Sequence, residues 1–166
     1  HQIKAAKSAL LHYIVDSGNH HFINGKMIFL QGSPELDMNP KVPNGRLSGI
    51  VANFVPSYLQ TNRLPSYKTN CIEDWEQKIE AIIEETLPED MRLISGIPSW
   101  VQMYFERLQA KTGKTISEIF PNFSLFVFGG VNYEPYRKKF EEMIGKKVDS
   151  LELYPASEGF IAFQDR

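Results

Sequence analysis

The side chains best suited to chemistry lie near the carboxyl end, in "YPASEG", residues 154 to 159. Tyr154 offers a ring face. Ser157 offers a hydroxyl that can donate to an anionic oxygen. Glu158 offers a hard carboxylate oxygen, which suits Mg²⁺ at a nucleotide phosphate. The stretch interrupts an apolar rhythm set by Leu151 and Leu153, which resumes at Phe160, Ile161, Ala162 and Phe163. A polar strand end with Glu158 in solvent would have the same composition. A second stretch, "FGGVNYEP", residues 128 to 135, has Gly129 and Gly130 at the end of an apolar run. Such glycines let a planar ligand approach the backbone closely, and they also serve a tight strand-to-helix turn.

Other motifs fall away on inspection. "TGKT", residues 112 to 115, has the tail of a phosphate-binding loop, but Leu108 stands where that pattern needs its first glycine. The spacing predicts a helix C-cap at Gly113 followed by an N-cap at Thr115, with Glu118 completing a capping box. His20 and His21 lack a third ligand at metal spacing and are expected in a solvated turn. No G-x-S-x-G elbow occurs, and no histidine follows Ser157 in residues 158–166, so a hydrolase triad is not expected.

These residues need elements to position them. Residues 3–15 place Ile3, Leu10, Leu11 and Ile14 on one helical face, ended by Gly18. Residues 26–33 predict a buried strand. Residues 34–70, rich in Pro, Asn and Gly, predict a long loop with a short helical piece near "LSGIVANF". Trp75, Ile79, Ile82, Ile83 and Leu87 have the spacing of an amphipathic helix, which Pro88 ends. Residues 91–98 predict a strand. Pro98 opens a helix carrying Trp100, Val101, Tyr104, Phe105 and Leu108. Trp100, Val101 and Tyr104 are assigned to the core in preference to an acyl pocket. Residues 124–130 predict a third strand. The next helix has Tyr136, Phe140 and Ile144 on one face, with Gly145 at its end. "VDSLELY" is the fourth strand. Apolar strands separated by helical crossovers imply an α/β fold with a mainly parallel sheet. Ligands in such sheets bind beyond the strands' carboxyl ends, so "ISG", "FGG" and "YPASEG" should meet on one edge.

Composition narrows the class. The 166 residues suit one domain, with 42% hydrophobic and 23% charged residues and a net charge of −2. This balance gives no sign of a nucleic-acid or membrane partner. The single cysteine, Cys71, excludes an intramolecular disulfide and fits a reducing, cytoplasmic compartment. Oligomeric state cannot be read from the residues.

Taken together, "FPNFSLFVFGGVNYEPYRKKFEEMIG", "LELYPASEGFIAFQD", "RLISGIPSWVQMYFERL" and "WEQKIEAIIEETL" resemble the Gretchen Hagen auxin-responsive family of acyl-acid amido synthetases, closest to its bacterial branch. That family belongs to the adenylate-forming superfamily, with acyl-CoA synthetases and luciferase. The resemblance implies a ligase that uses ATP and Mg²⁺. A carboxylic acid is activated as an acyl-adenylate with release of pyrophosphate, and an amine or amino acid then displaces AMP. Carried over by position, Gly129, Gly130 and Val131 line the adenine pocket, and Tyr154 packs near the base. Ala156 completes the nucleotide-binding set, Ser157 faces the phosphate, and Glu158 is the Mg²⁺-associated acid. Pro155 departs from the superfamily's usual glycine.

The resemblance also implies a Ser/Thr/Gly-rich phosphate loop, a ribose-binding aspartate and a small mobile carboxyl-terminal domain. None is found in residues 1–166. The chain is therefore expected to be a single α/β fragment of the large domain, inactive alone. A non-catalytic α/β module that binds a nucleotide or acyl compound is the alternative; such a module would bind AMP tightly alone, whereas half a site would not.

Overall fold

Alternating apolar side chains give the central strands two buried faces. Leu93 points to one side and Ile94 to the other; Leu125 and Val127 oppose Phe126 and Phe128 in the same way. In the computed structural model, which describes residues 2–35, 60–156 and 159–164, these strands form one sheet. Its strands are β1 (Lys26–Phe29), β2 (Arg63–Leu64), β3 (Met91–Ser95), β4 (Leu125–Phe128), β5 (Asp149–Ala156) and β6 (Gly159–Phe163). Among the described residues their order is β2-β1-β3-β4-β5-β6. All neighbours are parallel except β5 and β6, which are antiparallel.

Helices cover both faces, as a mainly parallel sheet requires. On one side lies α1 (Gln2–Ser17), whose Leu10, Tyr13 and Ile14 pack over Phe22, Leu93, Leu125, Val127 and Leu151. On the other lie α3 (Trp75–Thr86), α4 (Pro98–Thr112) and α6 (Glu134–Ile144), which supply the larger core. Short helices α2 (Tyr67–Asn70) and α5 (Ile116–Ile119) complete the described α-helices, and a 3-10 helix spans His21–Asn24. No helix among the described residues is long and apolar enough to cross a membrane.

The caps follow from the residues. Gly113 has a φ of 70°, the left-handed conformation that ends α4. Thr115 and Glu118 form the capping box of α5. Val101 and Tyr104 are fully buried, as expected of core residues, while Trp100 is half-buried against Trp75 at a centroid distance of 4.9 Å. His20 and His21 are exposed and stack on each other.

Two expectations need correction. The 34–70 tract is not simply a loop: Arg63–Leu64 pairs with β1, and Tyr67–Asn70 is helical, with Ser66 as its cap. A two-residue strand carries no periodicity to read. The expected helical piece near "LSGIVANF" lies outside the described residues. The second correction is β6: Gly159–Phe163 is not a continuation of the fourth strand but its antiparallel neighbour.

Candidate functional site

Three strand ends come together on one edge. β3, β4 and β5 are adjacent and parallel, so Ser95–Gly96, Gly129–Gly130 and Tyr154–Ala156 all lie at the sheet's carboxyl edge. This is the edge where such sheets bind ligands.

The turn after β4 is fixed by the aromatic residues on either side. Phe128 and Tyr133 bracket it and meet at a centroid distance of 4.8 Å. Both also pack on Phe126, and Tyr133 further meets Phe140 edge-on. Tyr133 is 8% exposed. Burial, with smaller contributions from Glu134 and Glu141, pushes its phenol up to about 12, against the opposing effect of Arg137. The ring is therefore a neutral packing group. The Arg137 guanidinium lies over it at 5.1 Å and pairs with Glu134, which holds the Glu134 carboxyl below its ordinary value. Asn132 Oδ1 accepts from the Glu134 N–H at 3.0 Å and sets the entry to α6.

The two glycines have different reasons to be glycine. At Gly129 a Cβ would lie 2.2 Å from the Leu153 carbonyl oxygen. That position has no room for a side chain because β5 approaches it. Gly130 has a φ of 83° and nothing within 4 Å of where a Cβ would be. Gly130 thus makes the turn and leaves open space above it. Val131, which follows it, is 40% exposed.

Register sets the position of Tyr154. Phe128 pairs with Glu152, the last pair between β4 and β5. Tyr154 is two residues further along β5, on the same face as Glu152 and Phe128. β4 has already ended there, so no β4 side chain lies beside the ring. Tyr154 is 55% exposed. Ala156 pairs with Gly159, whose added Cβ would also meet open space. Ser157 and Glu158 lie outside the described residues.

One open cavity of about 370 Å³ lies at the amino end of β5, away from this edge. Its lining includes Tyr13 and Asp149, which share a hydrogen bond of 2.6 Å. It brings together none of the sequence-predicted residues.

A family model described as the GH3 family N-terminal domain matches residues 29–148. The chain belongs to the GH3 family. This is the Gretchen Hagen 3 family of acyl-acid amido synthetases, and membership supports a ligase-type enzyme. The GH3 match runs from the end of β1 to the residue before β5, so it includes Gly129, Gly130 and Val131 and stops short of Tyr154 and Ala156. No curated protein matches the chain.

Among the sequence-predicted residues, Gly129, Gly130, Val131, Tyr154 and Ala156 share one edge of two adjacent strands. Sequence reading gave Tyr133 and Pro155 no role. Tyr133 was visible inside "GGVNYEPYR" only as one more aromatic, and its part in fixing the turn appears once the rings are assembled.

Proposed function

We propose that this GH3 chain carries half of the nucleotide site of an ATP-dependent ligase. The enzyme activates a carboxylic acid as its acyl-adenylate and transfers the acyl group to an amine or amino acid. The observation that carries the reading is the exposed Tyr154 ring at the carboxyl edge, just past the last β4–β5 pair, on the same edge as the open Gly130 turn. An aromatic face beside an open backbone fits a planar base.

The roles of the chain's residues follow. Tyr154 packs against the adenine, while Gly129, Gly130, Val131 and Ala156 shape the pocket around it. The Ser157 hydroxyl donates to an α-phosphate oxygen as negative charge redistributes there. Glu158 would hold Mg²⁺, and the ion would supply neutralisation of negative charge at the phosphates. Among the described residues no three metal-binding side chains gather, and a magnesium ion shared with phosphates needs only one or two carboxylates from the protein. The substrate carboxylate oxygen attacks the α-phosphorus and the bond to pyrophosphate breaks. The amine nitrogen then attacks the acyl carbon, and AMP leaves.

In this proposal residues 1–166 are part of a large domain that is completed by a phosphate loop and a mobile domain elsewhere in the enzyme. Screening the full-length protein for AMP formation across a panel of carboxylic acids and amines tests it. AMP should form only with an acid present. AMP formation that ignores every acid would contradict the reading.

A further inference from the structure

The place of Pro155 in the sheet gives it a role. The Leu153 carbonyl faces β4, since a Cβ on Gly129 would lie 2.2 Å from its oxygen. In an extended strand, alternate residues direct their backbone polar groups to the same side. The backbone nitrogen at position 155 is therefore turned toward β4 as well. The same imagined Cβ lies 3.7 Å from Pro155 Cδ, which agrees. Pro155 thus puts a ring carbon where any other residue would present an N–H to the chain leaving β4. The β4–β5 ladder ends just before this point, at Phe128 and Glu152.

The β6 side is interrupted at the same level. Tyr154 pairs with Ala162 and Pro155 with Phe160, so Ile161 is left over as a bulge. Bulges next to functional sites re-aim the neighbouring side chain. Ile161 is 60% exposed. The β6 pairing thus shifts register immediately after Tyr154, two residues beyond the last β4–β5 pair.

We propose that Pro155 is a positioning residue that keeps the Tyr154 ring available to the nucleotide by stopping the β4–β5 ladder. A ladder extended by two residues would bring Gly130 directly opposite Tyr154 and close the space beside the ring. Pro155 prevents that extension, and Gly130 turns away with its φ of 83° instead. The inference rests on the nucleotide reading of Tyr154.

The test is a double-mutant cycle in the full-length enzyme, reading KM for ATP and for the acid in pyrophosphate exchange. Tyr154→Ala, Pro155→Gly, Pro155→Ala and the double variant Tyr154→Ala with Pro155→Gly are compared. Both Pro155 variants should raise KM for ATP about fivefold or more while leaving KM for the acid nearly unchanged. The double variant should be no worse than Tyr154→Ala alone, because Pro155 acts through that ring. Effects that multiply in the double variant would overturn the inference. So would Pro155 variants with normal KM for ATP when Tyr154→Ala raises it. Loss of fold in both Pro155 variants would make the residue a stability element only, and the inference would fall. If Tyr154→Ala is itself silent, the nucleotide reading fails, and the role of Pro155 fails with it.

Discussion

Gly129 and Gly130 are neighbours that should fail differently when changed to alanine. Gly129 faces a backbone carbonyl at a distance no Cβ tolerates. The strand or its neighbour must shift, and overpacking of this kind costs about 1–3 kcal/mol, at the upper end where, as here, the clash is with backbone. Gly130 has room but a left-handed φ, which costs a non-glycine residue about 1–2 kcal/mol. Thermal denaturation should therefore rank Gly129→Ala well below Gly130→Ala in stability. Equal melting temperatures for the two variants would contradict this assignment. The sequence marked both glycines as a place where backbone comes close to something. It could not say that for Gly129 the neighbour is β5, because that contact spans distant residues. Pro155 was opaque for the same reason: its ring matters only against the end of β4.

At the scale of elements, Glu85 ties α3 to the segment after β2. Its carboxylate accepts from the Ser66 N–H and hydroxyl, both at 2.7 Å, and from the Thr69 hydroxyl. Burial alone would raise its pKa, but these hydrogen bonds prevail and hold it below the ordinary 4.5. A carboxyl whose pKa is lower in the folded state stabilises above its unfolded pKa. That contribution is lost as pH falls through the folded value. The stability gap between the wild-type chain and Glu85→Gln should be full near neutral pH and shrink as pH drops below 4.5. A gap that stays constant over that range, measured by denaturation, would contradict the assignment. The elements most legible in the sequence were those with caps: Gly113, Thr115 and Glu118 mark helix ends by residue type and spacing alone. β2 was hidden because two residues carry no pattern. β6 was hidden because only two residues separate it from β5, so the apolar runs looked like one interrupted strand. A short gap between two apolar runs is itself a hairpin signal, and it was the clue available.

For the whole molecule, the sheet gathers the Gly129–Val131 and Tyr154–Ala156 segments on one edge, and the proposed reading puts the phosphate loop outside residues 1–166. The isolated 166-residue chain should therefore show no acid-dependent exchange of pyrophosphate with ATP. Robust exchange by that chain would contradict the half-site account. The fold class was legible because helical and strand periodicities alternate, and the edge was legible because small residues end three successive strands. The acyl substrate was not, because the half-buried Trp75–Trp100 pair and its buried neighbours look alike in sequence whether they pack or bind. The most direct test of the central claim is acid-dependent pyrophosphate–ATP exchange by the full-length enzyme carrying Glu158→Ala, alongside the wild type. The account predicts that the wild type exchanges only with acid and Mg²⁺ present, and that the variant loses orders of magnitude of activity while keeping its fold. Near-normal exchange by a folded Glu158→Ala enzyme would contradict it.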